Sequence, residues 1–284
     1  MKIALLLALL SSSSGTSTER PRYLLFGTKS LGWIVLEART RHVDRLHFPA
    51  PFVPENVAIS SNGEDVVFTA ADSAANNVLL FHWNLKRNTP PRSIGDQRGY
   101  HADPTISDDA RWAYFAHNPF ARGPPGEHQA KAYAQLYRVQ IDGSGLEALT
   151  DERGCHFGPT NATANQLIYL YTTCNGDRTL RRFHFPSRTS TDLSKTGFIV
   201  NEPSTSPGST RVVFSSPNVD SVSIAEIDLQ TTQLSRAFPI HGASLPVRPQ
   251  YGASLEDIFY QSHATVWRRH KNVSERIAAF TGEP

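Results

Sequence analysis

Apolar residues along the chain occur in short runs, for example at 66–70, 112–116 and 167–171, and turn-forming Gly, Pro, Asn, Asp and Ser lie between them. Short apolar runs bounded by such residues are typical of β-strands. The 284 residues include 18 Gly and 19 Pro, which suits many short strands joined by turns. The pattern therefore predicts an all-β fold.

Five segments repeat one pattern, in which a Pro or apolar residue precedes a short strand, a turn and an apolar strand. Their second residues lie at intervals of 47, 55, 44 and 46 residues. The segments begin at Asn56 (NVAISSNGEDVVFTA), Asp103 (DPTISDDARWAYFAH), Gly158 (GPTNATANQLIYLYT), Glu202 (EPSTSPGSTRVVFSS) and Arg248 (RPQYGASLEDIFYQS). Self-similarity at such a period indicates a repeat architecture.

Each repeat is predicted to form four antiparallel strands. The first two are the hairpin above, where Asn62-Gly63 is the strongest turn, because this dipeptide tolerates the positive φ that a two-residue loop needs. A second pair of strands follows, most clearly at 134–150. Four strands per repeat are the signature of a β-propeller blade, whereas a two-sheet sandwich, the alternative, rarely shows such a repeat.

One more blade is predicted ahead of the first full repeat, because residues 23–28, 33–38 and 43–48 resemble the three outer strands of a blade. The prediction is a six-bladed propeller of four-stranded antiparallel blades, forming a single domain over residues 18–284. The expected blades are 20–50, 51–98, 99–153, 154–197, 198–242 and 243–284.

Residues 1–17 have the order of a secretory signal peptide, with Lys2, an apolar run at 3–10 and small residues at 11–15. The apolar run is far shorter than the roughly 20 residues of a membrane-spanning helix, and no later run approaches that length. The protein is therefore expected in the periplasm or outside the cell; a buried N-terminal element is the alternative.

The innermost strand of the first blade would fall near 11–18. Cleavage would either leave part of that strand or leave the blade with three strands.

The charge pattern argues against nucleic-acid binding. The net charge is +2, and no basic block is present. The densest basic pairs, Arg181-Arg182 and Arg268-Arg269, lie inside predicted strands, where solvated outward-facing side chains are the simpler interpretation.

The hairpin sequences ISSNGEDVVF, ISDDARWAYFA and TSPGSTRVVF resemble the "Ser-Pro-Asp-Gly then apolar strand" unit of TolB-type propeller repeats. The stretch LYRVQIDGSGLEALTDE, at 136–152, is similar to the other half of that unit. The resemblance covers most of 53–262 and implies a fold rather than an activity. The turn signature is missing at 162–164 and 253–255, and TolB itself carries a further α/β domain, so the resemblance does not extend to TolB-specific partners.

The two cysteines, Cys155 and Cys174, are predicted to form a disulfide, since an exported protein meets oxidising conditions. The midpoint between them, 164.5, coincides with the turn centre that the repeat offsets place in this hairpin. The two residues would then face each other across the hairpin, within disulfide range. Two free buried thiols are the alternative.

Polar residues just before each innermost strand are expected to meet at one mouth of the central channel, and convergent polar groups in a concave site are the usual sign of ligand binding. Polar lining of a water-filled channel is the simpler alternative. The predicted mouth residues are Glu55, Asn56, His101, Asp103, His156, Asn201, Glu202 and Arg248.

His101 and His156 share one repeat position and could hold a divalent metal together with Asp103 or Glu202, because imidazole and carboxylate suit zinc or manganese. This recurrence is loosely similar to the oligogalacturonate lyases, which are propellers with a histidine-held metal. The resemblance implies a possible metal, whereas the default prediction is no cofactor.

The insertion at 117–134 joins two strands on the same face as the mouth. A loop of this length is usually functional or disordered. It offers rim contacts at His117, Arg122, His128 and Lys131.

No nucleophile elbow or phosphate loop occurs in the sequence, and no catalytic residue is predicted. The first functional hypothesis is a non-enzymatic, monomeric scaffold that binds a protein or glycan at the channel mouth. The alternative is a metal-dependent polysaccharide lyase or hydrolase resembling oligogalacturonate lyase.

Overall fold

The computed structural model describes residues 22–28, 30–72, 77–87, 89–119, 134–173, 178–193, 200–217, 222–240, 247–271 and 273–280. These residues form 23 β-strands and a single 3-10 turn, Pro207–Ser209. The all-β prediction is therefore confirmed. Within these residues, no helix is long and apolar enough to span a membrane.

The strands follow each other along the chain as antiparallel hairpins. The first seven are β1 (Tyr23–Thr28), β2 (Gly32–Glu37), β3 (Val43–Leu46), β4 (Pro54–Ile59), β5 (Asp65–Asp72), β6 (Asn77–Asn84) and β7 (Arg92–Ile94). The next eight are β8 (Tyr100–Ile106), β9 (Trp112–Asn118), β10 (Gln135–Gln140), β11 (Glu147–Ala148), β12 (Cys155–Ala162), β13 (Gln166–Thr172), β14 (Arg178–His184) and β15 (Thr189–Asp192). The last eight are β16 (Asn201–Thr205), β17 (Arg211–Pro217), β18 (Val222–Asp228), β19 (Leu234–Ile240), β20 (Arg248–Tyr251), β21 (Asp257–Ser262), β22 (Thr265–His270) and β23 (Val273–Ala279).

Among the described strands, hydrogen bonding defines five sheets instead of six separate blades. Sheet 1 has three strands (β1–β3), and three sheets have four strands each (β12–β15, β16–β19 and β20–β23). The remaining eight strands, β4–β11, form one sheet, because a single parallel bridge between Val78 and Tyr100 connects β6 to β8. The predicted set of six separate four-stranded sheets therefore does not match the hydrogen-bonded sheets.

Apolar side chains fill the seams between neighbouring sheets, and this explains why the second strands are apolar on both faces. On β17, Val212 and Phe214 pack towards the preceding sheet, whereas Val213 packs towards the following one. Fully burying a side chain of this size contributes about 1.5–3 kcal/mol. Because each sheet needs a cover on both faces, the sheets must stack in series.

The last seam closes the ring. Phe26 and Ile34 of sheet 1 pack in one buried cluster with Phe259 and Val266 of the last sheet. The side chain of Arg45 also donates to the carbonyl of Phe280, 2.9 Å away. The first and last sheets are therefore neighbours around a central channel, which is the arrangement of a β-propeller.

Candidate functional site

A cavity of about 840 Å³ occupies the central channel. Its wall is built from the first strand of each repeat, namely β4, β8, β12, β16 and β20, together with β1. Each sheet therefore contributes side chains to one shared space.

Most of the predicted mouth residues meet at this cavity. Five of them line its wall: Asn56, Asp103, Asn201, Glu202 and Arg248. Glu55, His101 and His156 are not part of that wall. Sequence repeats alone thus identified residues that lie far apart in the chain and share one opening.

A β-bulge interrupts the first strand at the same repeat position in three repeats, and one position earlier in the repeat that begins with β4. Three residues at this position have left-handed backbones: Asp103 (φ 49°), Gly158 (φ 54°) and Glu202 (φ 47°). Left-handed φ is unfavourable for residues with a Cβ, and such strain tends to be kept at functional positions. Two carboxylates are therefore held on strained backbone at the channel wall.

Asp103 connects two neighbouring repeats. Its Oδ2 accepts a hydrogen bond from the backbone N–H of Gly158, 3.2 Å away. The carboxylate thus joins β8 to β12 through a hydrogen bond and also forms part of the cavity wall.

Arg248 lies where the last sheet meets sheet 1. Its Nη1 donates to the carbonyl of Gly27 at 2.9 Å, and its Nε lies 3.8 Å from a carboxylate oxygen of Glu202. The guanidinium also sits 5.9 Å from the centre of the Trp33 ring. Arg248 therefore presents a cation to the mouth while it helps to close the ring.

Arg178 is a wall residue that the sequence did not single out. It bonds the side-chain carbonyl of Asn201, and its guanidinium lies 5.3 Å from the centre of the Phe157 ring. It begins the third strand of its sheet, β14, whose start is paired with the end of β13 at Thr172, a residue of the cavity wall. The sequence could have pointed to Arg178, because in a sheet of antiparallel neighbours the third strand begins at the same end as the first.

Arg22 lies at the opposite end of the cavity. Its Nη2 donates across the channel to the carbonyl of Thr205, 3.2 Å away. Burial lowers the pKa of Arg22, and the charge of Asp108 counteracts this effect. A cation thus bridges sheet 1 and β16 at the floor of the cavity.

His101 and His156 point into seams between sheets rather than into the channel. His101 is fully buried, and its Nδ1 lies 2.7 Å from the carbonyl oxygen of Val78 on β6. His156 is also fully buried, and its Nδ1 lies 2.8 Å from Oγ1 of Thr150. This placement corrects the expectation that both line the mouth. A β-bulge between each histidine and the wall breaks the alternation of faces, and both rings face the preceding repeat.

Burial keeps both histidines neutral. Burial, with a smaller contribution from His117, lowers the pKa of His101 to about 3. Burial, assisted by the charge of Arg181, lowers the pKa of His156 to about 4. Neither side chain is placed to share a metal with the wall carboxylates. Within the described residues, no group of three or more His, Cys, Asp or Glu side chains is arranged to hold a metal ion. The geometry therefore does not fit the metal site suggested by the lyase resemblance.

The predicted rim residue His117 is buried as well. Its ring stacks on that of His101, with 4.4 Å between the ring centres, and its Nε2 lies 3.8 Å from Oδ2 of Asp96. His117 therefore belongs to a seam and does not face the rim. Arg122, His128 and Lys131 lie outside the described residues.

The cysteine hairpin has the expected turn but a different register. Thr163 donates to the carbonyl of Gln166, so the turn centre is the predicted one. Two register shifts then follow in β12, and Cys155 pairs with Thr172. Cys155 therefore faces a residue two positions before Cys174, whereas the sequence predicted that it faces Cys174 directly. Cys155 is buried, whereas Cys174 lies outside the described residues, so the disulfide stays a prediction.

The fold resembles those of several solved structures. TolB from Acinetobacter baumannii aligns with 91% of this chain at 12% identity and a TM-score of 0.67, and this chain spans 62% of that protein. A chain in a crystal structure of a nidogen/laminin complex gives a TM-score of 0.63 at 14% identity, with 91% and 92% of the two chains covered. An oligogalacturonate lyase in complex with manganese gives 0.57 at 13% identity, over 85% of this chain and 70% of that one.

The chain is a β-propeller. The resemblance to a TolB-type propeller is thereby supported at the level of the fold. No family model and no curated protein matches the sequence. At identities this low, structural likeness shows the fold alone, because one fold carries many unrelated functions.

Proposed function

We propose that this protein is an exported, non-enzymatic propeller that binds a protein or glycan partner at the mouth of its central channel. The observation that carries the proposal is the convergence of Asn56, Asp103, Asn201, Glu202 and Arg248 on one cavity. Charged and amide groups from several sheets, placed around a concave opening, suit polar recognition of a partner surface.

The strained backbone supports the same site. Asp103 and Glu202 keep carboxyl side chains at positions where glycine would relieve the strain, as Gly158 does in the repeat between them. The Glu202 side chain is 45% exposed and lies 3.8 Å from Arg248, so its carboxylate is accessible to a partner at the mouth.

We further propose six blades, with the eight-stranded sheet counted as two. Its halves, β4–β7 and β8–β11, meet through the one parallel bridge at Val78 and Tyr100. Apolar clusters occur at the seam between these halves as at the other seams, with Val67 and Leu80 packed against Phe115. The proposed blade boundaries are those expected from the repeats.

Export is part of the proposal. It rests on the order of charge, apolar run and small residues in 1–17. N-terminal sequencing of protein recovered outside the cytoplasm is expected to show a new terminus near residue 18. A protein retained in the cytoplasm with an intact terminus would contradict export.

The binding proposal is tested with purified protein beginning at residue 18, immobilised and exposed to extract from its native compartment. Wild type is compared with Glu202→Ala and Arg248→Ala. The matched control is Arg111→Ala, because Arg111 is 77% exposed and is not on the cavity wall. Partners retained by wild type and by the control, and lost with both mouth variants, are then purified and their affinities measured.

Stability must be measured in parallel, since Arg248 also bonds Gly27. A variant that unfolds at the wild-type temperature and yet loses the partner supports a mouth site. Equal retention of every partner by Glu202→Ala and wild type contradicts it. A polysaccharide lyase is the weaker candidate, because His101 and His156 face the seams.

A further inference from the structure

Each first strand turns one edge to its second strand and the other edge to the central channel. Alternate residues of an antiparallel strand bond across to the partner strand, whereas the residues between them direct their backbone groups away from it. At the ends of four first strands, the backbone N–H groups that donate to the starts of the second strands belong to Ser60, Ser107, Ser206 and Gly252. The residues two positions earlier face their second strands in the same register, and they are Ala58, Thr105, Ser204 and Gln250. A trans peptide points its N–H and C=O in opposite directions, so the carbonyl of the residue before each of these faces the channel.

Four carbonyls at one repeat position therefore face the channel, and we name them the carbonyl collar. The collar residues are Val57, Pro104, Pro203 and Pro249, and all four line the cavity wall. In the chain they directly follow the mouth residues Asn56, Asp103, Glu202 and Arg248. The collar thus lies just inside the mouth. β12 is not counted, because two register shifts interrupt its pairing at this point.

The collar offers acceptors and few donors. Three of its four residues are prolines, and proline has no backbone N–H. An N–H at these positions would point into the channel beside the carbonyl, as it does at Val57. Proline on such an edge also prevents an added strand from pairing with it. A ligand therefore has to reach the collar with hydrogen-bond donors of its own.

The chain itself shows which group suits carbonyls on this wall. Thr205, two residues beyond Pro203, accepts a hydrogen bond from Nη2 of Arg22 at 3.2 Å. The carbonyl of Gly27 on β1 accepts from Nη1 of Arg248 at 2.9 Å. A guanidinium group has five N–H donors and no acceptor, so it matches a wall that offers acceptors.

The charges of the wall do not oppose a further cation. The charged wall residues are three arginines and three acids, namely Arg22, Arg178, Arg248, Asp103, Asp108 and Glu202. Arg248 lies 3.8 Å from Glu202, and Arg178 bonds Asn201. Because the two signs are balanced, the contacts at the collar decide what binds. The carboxylates of Asp103 and Glu202 stand at the entrance to it.

We propose that the carbonyl collar binds the guanidinium group of an arginine side chain that a partner polypeptide inserts through the mouth. This inference rests on the proposed function and selects a protein, rather than a glycan, as the partner. The arginine passes Asp103 and Glu202 and donates to collar carbonyls, while the partner backbone stays outside the channel. The cavity of about 840 Å³ has room for such a side chain.

The test is isothermal titration calorimetry with the purified protein beginning at residue 18 and the peptide Gly-Gly-Arg-Gly-Gly as the probe. Saturable one-to-one binding is expected. The same peptide with citrulline, a neutral urea of nearly the same shape, should bind at least about tenfold more weakly, because its hydrogen bonds lose their charge. The lysine peptide should also bind more weakly, since an ammonium group is compact, strongly hydrated and lacks the planar fork.

The protein variant is the double substitution Pro203→Ala and Pro249→Ala, which restores two N–H donors to the collar. These donors face those of the guanidinium, so we expect at least about threefold weaker binding of the arginine peptide. Pro239→Ala is the matched control, because Pro239 is exposed on β19 and is not on the cavity wall. If the double variant does not fold, the comparison of the arginine and citrulline peptides on wild-type protein decides the question.

Several results would overturn the inference. They are the absence of saturable binding, equal affinity for the citrulline or the lysine peptide, and unchanged affinity in the folded double variant. Mouth partners that are captured by wild type and lost with Glu202→Ala, without any preference for the arginine peptide, overturn the collar alone. A mouth partner that is a glycan does the same. Arginine-selective binding together with equal retention of every partner by Glu202→Ala and wild type supports the collar and contradicts the mouth site.

Discussion

Asp103 and Gly158 hold equivalent repeat positions in neighbouring blades, and the Asp103 carboxylate accepts a hydrogen bond from the Gly158 backbone N–H at 3.2 Å. Both residues have left-handed backbones, with φ of 49° and 54°. The bulge in one first strand is therefore tied to the bulge in the next. This link fixes the spacing of the channel wall at the point where the polar side chains emerge.

Replacing Asp103 with Ala is expected to destabilise the protein by about 1–2 kcal/mol, because hydrogen bonds to a charged group contribute more than neutral ones. Asp103→Asn should lose less stability, since its amide oxygen can still accept a hydrogen bond from the Gly158 N–H. Urea unfolding measures both, and hydrogen exchange at the Gly158 amide should accelerate in the Ala variant only. Unchanged exchange at Gly158 in Asp103→Ala would show that this hydrogen bond does not form in solution.

Two glycines with the same φ angle allow the effect of backbone strain on stability to be measured apart from the effect of side-chain packing. Gly63 and Gly208 both have φ of 75° and lie one position apart in the corresponding hairpin turns of two repeats. A Cβ at Gly63 would lie 2.6 Å from the Tyr23 ring, whereas a Cβ at Gly208 would meet nothing within 4 Å. Gly208→Ala is expected to lower the free energy of unfolding by about 1 kcal/mol, because of backbone strain. Gly63→Ala should lower it by about 1–3 kcal/mol more, because the new methyl group overpacks the seam.

The control for this pair is the same change at Gly63 in a Tyr23→Ala background. Removing the ring should reduce the effect of Gly63→Ala to that of Gly208→Ala, because only the backbone term remains. Thermal or urea unfolding provides the measurement. Equal losses at the two glycines in the wild-type background would mean that the seam between sheet 1 and the next blade adapts freely.

The sequence was sufficient to predict the repeating strands and five of the eight proposed mouth residues that line the channel, because a repeat fixes the positions of both. A single alignment placed Asn56, Asp103 and Glu202 on one wall although they lie far apart in the chain. Positions within a repeat are equivalent in three dimensions whatever the intervening loops contain.

Register and side-chain direction could not be obtained in the same way. Two bulges in β12 shift Cys155 by two residues relative to the predicted partner. His101 and His156 lie only two residues before wall positions, but the bulge between them and the wall breaks the simple alternation of faces. Bulges depend on local backbone strain that no periodicity reveals.

Glu226 is a fully buried carboxylate whose removal is expected to be severe. It bonds Arg211 at 3.0 Å, Arg236 at 2.8 Å, Ser235 and Tyr251, and it links β18 to the last blade. Burial raises the pKa of Glu226, but these hydrogen bonds and the charge of Arg236 lower it overall. Glu226→Gln should destabilise the protein by about 2–3 kcal/mol, because two partly exposed arginines are left without their counter-ion.

The comparison for Glu226 is Glu275→Gln, which breaks ion pairs with Arg268 at 2.8 Å and Arg41 at 3.2 Å at the surface. Exposed pairs contribute less than about 1 kcal/mol. Urea unfolding at neutral pH should therefore rank Glu226→Gln well below Glu275→Gln in stability. Similar losses in the two variants would show that water reaches Glu226.

The buried histidines predict how stability depends on pH. In the folded chain the pKa is about 3 for His101 and about 4 for His156, while burial also lowers the pKa of His117. Unfolding returns each to about 6.5. Between these values the unfolded chain binds more protons, so stability is complete above pH 6.5 and falls as the pH decreases towards 4. Between pH 7.5 and 5 the loss is about 2 kcal/mol for each of His101 and His156.

Charged groups near the histidine rings also affect the loss of stability at low pH. Asp96 approaches His117, and Glu152 and Arg181 flank His156. His156→Gln can still bond Thr150 and should remove about 2 kcal/mol of the pH dependence measured by urea unfolding at pH 7.5, 6 and 5. The exposed His184→Gln is the control and should leave the profile unchanged. A flat profile for the wild-type protein down to pH 5 would mean that water enters the seams and that the histidines titrate without unfolding the propeller.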